Sequence, residues 1–176
     1  LYLCHAHTQY GVDCDRIFGM ITSRYNEIRD ELGLKIDLEP EFADLKKRLD
    51  AKAISQDELV SRGEYFSAKL MAEFLGFQFV DATEWVKFKF DGTVDQEKTY
   101  AALKGFIKGK GIVTPGFYGI MPDGNIRTFT RGGSDITGAL AAAALDADVY
   151  ENWTDVSGIL MADPRIVENP EVIPEV

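Results

Sequence analysis

Apolar residues recur at three- and four-residue intervals through the first part of the chain. Ile17, Ile21, Tyr25, Ile28 and Leu32 follow Asp13 at helical spacing, and Gly33 ends the run. Phe42, Leu45 and Leu49 repeat the interval after Pro40. A third helix is expected to open with the capping box Ser55-Gln56-Asp57-Glu58, to turn Leu59, Phe66, Leu70 and Phe74 inward, and to close at Gly76.

After Gly76 the period changes. Phe77-Gln78-Phe79-Val80 reads as a short strand, Asp95 to about Ile107 as a crossover helix, and Gly111-Ile112-Val113 as a second strand. The turn Pro122-Asp123-Gly124-Asn125 is expected to join that second strand to Ile126–Thr130 as a hairpin. A Gly-rich loop, an Ala-rich helix from Ser134 to Leu145 and a last strand near Val149 complete the pattern. Helices alternating with short apolar strands predict one domain of layered α/β architecture, with no internal repeat and no dividing linker.

Composition narrows the function classes. With 176 residues the chain is long enough to bury ~70% of its unfolded surface, so neither disulfides nor a structural metal is needed. The 29 acidic residues outnumber the 19 basic ones, giving a net charge of -10. Nucleic acids and anionic membranes require a basic footprint and are not expected partners. A nucleotide substrate is compatible with this charge, because backbone N–H groups and a few local cations can hold its phosphates. The longest apolar stretch, around Ala139–Leu145, is far too short to cross a membrane. Two cysteines fit a reducing compartment, and a cytoplasmic location is expected. The chain opens at Leu1 inside an apolar-periodic segment and ends in a run of Pro, Glu and Val, so it is expected to be part of a larger protein.

Three segments are candidates for chemistry. Arg131-Gly132-Gly133-Ser134-Asp135 runs from a strand into a helix. Its glycines permit close backbone approach, the helix start offers unpaired N–H groups, and Arg131 can clamp a carboxylate or phosphate with two bonds. A capped helix after a glycine turn accounts for the same residues. In Ser61-Arg62-Gly63-Glu64 a mid-helix glycine costs ~1 kcal/mol against alanine, so a neighbouring helix or a ligand must approach there. Glu64 beside that gap is suited to an ammonium group. Trp153–Ile159, followed by Ala162-Asp163-Pro164-Arg165, reads as a strand exit with polar groups, where ligands bind in open α/β sheets; turn chemistry alone also explains it. Cys4, His5, His7 and Cys14 are not expected to bind metal. On one continuous helix the two histidines point roughly 200° apart. Ten helical residues would separate the cysteines by about 15 Å.

Taken together, SRGE, VTPGFYG, RGGSD and WTDVSGI…DPR resemble the aspartokinases of the amino-acid kinase family in order and spacing, strongly from Ser55 to Ile173 and weakly from Leu1 to Asp50. The acetylglutamate and glutamate 5-kinases of that family carry different glycine-rich and nucleotide segments. The resemblance implies a three-layer αβα sandwich, incomplete at both ends, with a helical excursion over about 1–76 and sheet and site segments over about 77–176. It implies ATP-dependent phosphorylation of the L-aspartate side-chain carboxylate to 4-phospho-L-aspartate, the first step towards lysine, threonine and methionine, with ATP used as its Mg2+ complex. Glu64 then matches the receiver of the substrate ammonium group and Arg131 the partner of its α-carboxylate, with Ser134 against the substrate. Gly132 and Gly133 match the loop beside the transferred phosphoryl group. Asp135 matches the aspartate that orients two catalytic lysines, while Thr154, Asp155, Asp163 and Arg165 match nucleotide contacts. Leu160 stands where some members have a tyrosine near the nucleotide.

The family's lysine-bearing K-F-G-G and G-A-K segments and its regulatory ACT domains are absent from this sequence. The chain by itself is therefore expected to lack kinase activity, and the intact protein is expected to be a homo-oligomer. The alternative is a non-catalytic module of the same ancestry that binds a nucleotide or an amino acid. Glu64, Arg131 and Asp155 are expected to converge at the carboxyl ends of the strands.

Overall fold

A computed structural model of the chain describes all residues except Lys110, 154–160, 163–165, 172 and 174–176. Helices come first: α1 Tyr2–Gln9, α2 Asp15–Glu31, α3 Glu39–Asp50 and α4 Gln56–Leu75. Pro40 lies in the first turn of α3, where its missing N–H costs nothing. The Ser55 hydroxyl accepts the Glu58 amide at 3.1 Å and so caps α4. Only that half of the expected capping box forms, because the Glu58 carboxylate pairs with Arg48 of α3 at 2.7 Å. Gly76 ends α4 in the left-handed conformation at φ 65°.

These four helices enclose one core of Phe18, Leu38, Phe42, Leu45, Leu49, Leu59, Phe66 and Leu70. Phe42 and Phe66 meet edge to face at 4.7 Å. The Glu73 carboxylate accepts the Lys35 and Ile36 amides at 2.6 and 3.0 Å, fastening the α2–α3 loop to α4. Phe74, expected inside, is 56% exposed in the last turn of α4, one turn beyond the last α4 residue of the core. Cys4 and Cys14 do not lie on one continuous helix, contrary to the premise that would set them about 15 Å apart. The chain turns between α1 and α2, with the His7 carbonyl accepting the Val12 amide, and folds both cysteines into the same core. Burial, reinforced by Cys14, pushes the Cys4 thiol up to about 11. Among the described residues no cluster of three or more metal-ligating side chains forms.

The second half alternates as expected, with shorter elements. Strand β1 Gln78–Phe79 pairs in parallel with β2 Ile112–Val113, Gln78 opposite Ile112. Between them lie α5 Ala82–Trp85 and the crossover helix α6 Gln96–Lys104. Helix α5 was not anticipated, although Asp81-Ala82-Thr83-Glu84 carries its signal: a complete capping box, with Asp81 and Glu84 each bonded to the other's backbone. The hairpin forms with a different partner from the one expected. Its first strand is β3 Tyr118–Ile120, antiparallel to β4 Ile126–Thr128, and Ile112–Val113 stays with β1. Pro115-Gly116 separates the two apolar runs.

Helix α7 Gly133–Leu145 follows the hairpin. Val149 lies in no strand and is 70% exposed, contrary to the expectation there. The second core gathers Val80, Trp85, Val86, Phe88, Leu103, Tyr118, Leu140 and Ala144. Helix α4 lies against β1, β2 and β4 as well as against α1 and α2, so it borders both cores.

Candidate functional site

The RGGSD segment links β4 to α7, and its two glycines do different work. Gly132 caps α7 at φ 60°, a conformation that side chains with a Cβ rarely adopt. Gly133 is buried, and a Cβ there would come within 2.6 Å of the Phe117 Cβ and 2.8 Å of the Phe129 Cβ. The loop therefore rests directly on the VTPGFYG segment. Gly116 lies under Ser134, where a Cβ would meet the Ser134 Cα and hydroxyl at 3.1 Å. Phe117 itself holds φ 62°, a conformation a non-glycine residue keeps only when its surroundings impose it.

Those surroundings are specific. The Thr137 hydroxyl accepts the Phe117 amide at 3.0 Å and donates to the Gly133 carbonyl at 2.6 Å, joining loop to helix through one buried side chain. The Phe117 carbonyl accepts the Phe129 amide at 2.8 Å. The first turn of α7 thus presents backbone N–H groups and the positive end of its dipole over a braced base, while Arg131, Ser134 and Asp135 stand exposed. Such an arrangement suits an anion. Asn152 donates to the Asp135 carboxylate at 3.0 Å, and the Tyr150 hydroxyl donates to the Asp135 carbonyl at 3.5 Å, so the chain after α7 folds back onto this helix start.

Glu64 is exposed on α4. The Tyr25 hydroxyl of α2 donates to the Gly63 carbonyl at 2.8 Å, yet a Cβ on Gly63 would meet that hydroxyl only at 3.7 Å, so packing against α2 does not by itself require glycine there. The start of α4 meets the hairpin, with the Asp57 carboxylate accepting the Thr128 amide at 3.1 Å. The helix carrying Glu64 and the hairpin leading to Arg131 are thereby brought together. No hydrogen bond or ion pair among the described residues joins Glu64 to Arg131. Thr154, Asp155, Asp163 and Arg165, and with them the expected convergence on Asp155, lie outside the described residues.

Sequence reasoning passed over the residues that hold the segments in place. Arg62, Asp81, Phe117, Tyr118, Thr137 and Asn152 each also meet a partner distant along the chain, which local sequence does not reveal. Asp81 alone had a local signal, its capping box. Burial and the Asp81 carboxylate push the Tyr118 phenol far above its ordinary value, so it remains a hydrogen-bond donor to Asp81 at 3.2 Å.

Residues 19–176 match the amino acid kinase family. The chain belongs to that family. It is 40% identical over 129 residues to aspartokinase 3 of Bacillus subtilis, a match covering 68% of the chain and 28% of that relative. It is 36% identical over 163 residues to the lysine-sensitive aspartokinase 3 of Escherichia coli, covering 86% and 36%. Among solved structures, aspartate kinase of Clostridium acetobutylicum shares 44% identity at a TM-score of 0.84 over 97% of this chain and 39% of that one. E. coli aspartokinase III in complex with aspartate and ADP shares 25% identity at a TM-score of 0.75, over 98% and 44%. The chain thus spans less than half the length of these relatives. The two small sheets and their helices form an incomplete α/β fold of the amino acid kinase type, as the sequence predicts.

Proposed function

We propose that this chain is the central part of an aspartate kinase catalytic domain, in which ATP phosphorylates the side-chain carboxylate of L-aspartate. The observation that carries the reading is the braced RGGSD loop, with glycines, helix N–H groups and an arginine in one exposed place. The aspartate and ADP held by the E. coli relative support it. On this reading 1–76 is the helical excursion and 77–176 holds the sheets and site segments. The product is 4-phospho-L-aspartate, the entry to lysine, threonine and methionine synthesis, made in the cytoplasm by a homo-oligomer.

A carboxylate nucleophile is already ionised, so the reaction needs no strong base; it needs alignment and positive charge around the transferred group. Arg131 pairs with the substrate α-carboxylate, Glu64 receives its ammonium group, and Ser134 lies against it. The N–H groups of Gly132, Gly133 and the start of α7 face the phosphoryl oxygens. ATP enters as its magnesium complex, with Thr154, Asp155, Asp163 and Arg165 as nucleotide contacts. Asp135 orients the lysines that meet the transferred phosphoryl group.

The test is ADP release by the full-length protein with and without L-aspartate. Aspartate-dependent release is expected. Replacing Arg131 by Ala should raise the aspartate KM roughly a hundredfold while the ATP KM stays nearly constant, because a two-bond ion pair is lost at one substrate. Nucleotide binding without turnover would instead support a non-catalytic module of the same ancestry.

A further inference from the structure

Arg62 sits inside the SRGE segment, yet its side chain turns away from Glu64 into the junction between the two cores and is 14% exposed there. Its Nε and Nη2 donate to the Ser61 hydroxyl at 3.2 and 3.0 Å, and that hydroxyl donates to the Glu58 carbonyl at 2.7 Å. The guanidinium lies over the Tyr65 ring at 4.4 Å and the Tyr118 ring at 5.3 Å. One of its nitrogens stands 3.8 Å from the Asp81 carboxylate, itself only 16% exposed. Asp81 also accepts the Tyr118 hydroxyl at 3.2 Å and the Thr83 amide at 2.8 Å. Arginine suits this position because one planar group can stack on two rings and face a carboxylate at once.

The contacts continue to the RGGSD loop. Tyr118 follows Phe117, whose amide is held by Thr137 and whose Cα and Cβ wall in Gly133. A continuous path of packed and hydrogen-bonded groups therefore runs from α4, two residues before Glu64, to the glycine that opens α7. The expected holders of the substrate ammonium and carboxylate groups sit at its two ends.

We infer that Arg62 is a positioning residue: locked between Asp81, Tyr65 and Tyr118, it sets the distance between the Glu64 helix and the Arg131–Ser134 loop, and so the fit of the amino-acid substrate. The inference rests on the aspartate kinase reading for its substrate, but the coupling it describes can be measured without activity. The variants are Arg62→Met, which keeps the stem and removes the guanidinium, and Arg62→Lys, which keeps the charge but loses the planar stack. Both are made in the full-length protein, with Tyr118→Phe as a milder probe should Arg62→Met fail to fold.

Two readouts are expected to move together. Arg62→Met raises the aspartate KM roughly tenfold while kcat and the ATP KM stay within about twofold, and Arg62→Lys restores little of the loss. In hydrogen exchange, the Phe117 and Phe129 amides exchange roughly tenfold faster, while amides of α3 keep their protection. Unchanged exchange at Phe117 and Phe129 overturns the coupling, whether or not the protein proves to be an aspartate kinase. Faster exchange with equal changes in both KM values overturns the positioning role, as does full rescue by lysine. Wild-type protein that shows no aspartate-dependent turnover refutes the functional reading alone, and the exchange result then decides the coupling.

Discussion

The helical half and the sheet half bury their apolar residues by different means. In α1–α4 the elements run from 8 to 20 residues, and each side chain in the core is one of many aliphatic and aromatic neighbours along several turns. In the sheet half the strands are two or three residues long, and Trp85 and Tyr118 fill the centre with their polar ends hydrogen-bonded to Thr114 and Asp81. The difference shows where tolerance ends. A long helix spreads stability over its whole face, whereas short strands concentrate it in a few large rings and in glycines that admit no added atom.

The largest expected break in that comparison is Trp85→Ala. The ring is fully buried and its N–H donates to Thr114 at 2.8 Å, so the substitution leaves a cavity and removes a hydrogen bond that ties α5 to Thr114. A loss of about 3–5 kcal/mol is expected by denaturant unfolding. A loss below about 1 kcal/mol would mean that the sheet half shares load as the helical half does.

Gly133→Ala and Gly19→Ala pose the same change to the two halves and should differ in sign. At Gly133 the new methyl meets the Phe117 backbone and Phe129, which cannot retreat without moving the loop, so stability falls by about 1–3 kcal/mol. At Gly19, inside α2, a Cβ meets nothing within 4 Å, so alanine should stabilise by about 0.5–1 kcal/mol. Thermal melts of the two variants against the parent decide it, and equal signs would erase the distinction.

The smallest effect concerns turns of the sheet half. The Asp91 carboxylate accepts the Thr93 amide at 2.9 Å, and that of Asp123 accepts the Asn125 amide at 3.0 Å. These bonds hold both carboxyls below the usual aspartate range. A lowered folded value means the contribution is complete above the ordinary aspartate range and fades as the pH falls through the lowered one. In an NMR titration the Thr93 and Asn125 amide shifts should move together below the usual range, with little change in either core. Midpoints at or above that range would deny these bonds their role.

The same contrast explains what could be seen in the sequence. Ile17 to Leu32 and Phe42 to Leu49 repeat over whole helices, so their period stands out, and α2, α3 and α4 fall where it predicts. Strands such as Gln78–Phe79 are too short to show alternation, and Ile112–Val113 and Tyr118–Ile120 read as one strand because both are brief apolar runs. At the site, Arg131-Gly132-Gly133-Ser134-Asp135 was legible because adjacent residues carry the signal. Thr137 and Arg62 were not, since neither side chain reveals that it reaches Phe117 or stacks on Tyr118 until the chain has folded.

Helix α4 has a consequence for how the molecule comes apart. Leu59, Phe66 and Leu70 belong to one core, while Asp57 and Arg62 bind the hairpin and the junction with the other. Melting the first core strips the support from the strands, and melting the second exposes the flank of a helix that the first needs. A crossbar built into both halves makes them one cooperative unit. The chain should therefore unfold in a single step, with calorimetric and van't Hoff enthalpies that agree.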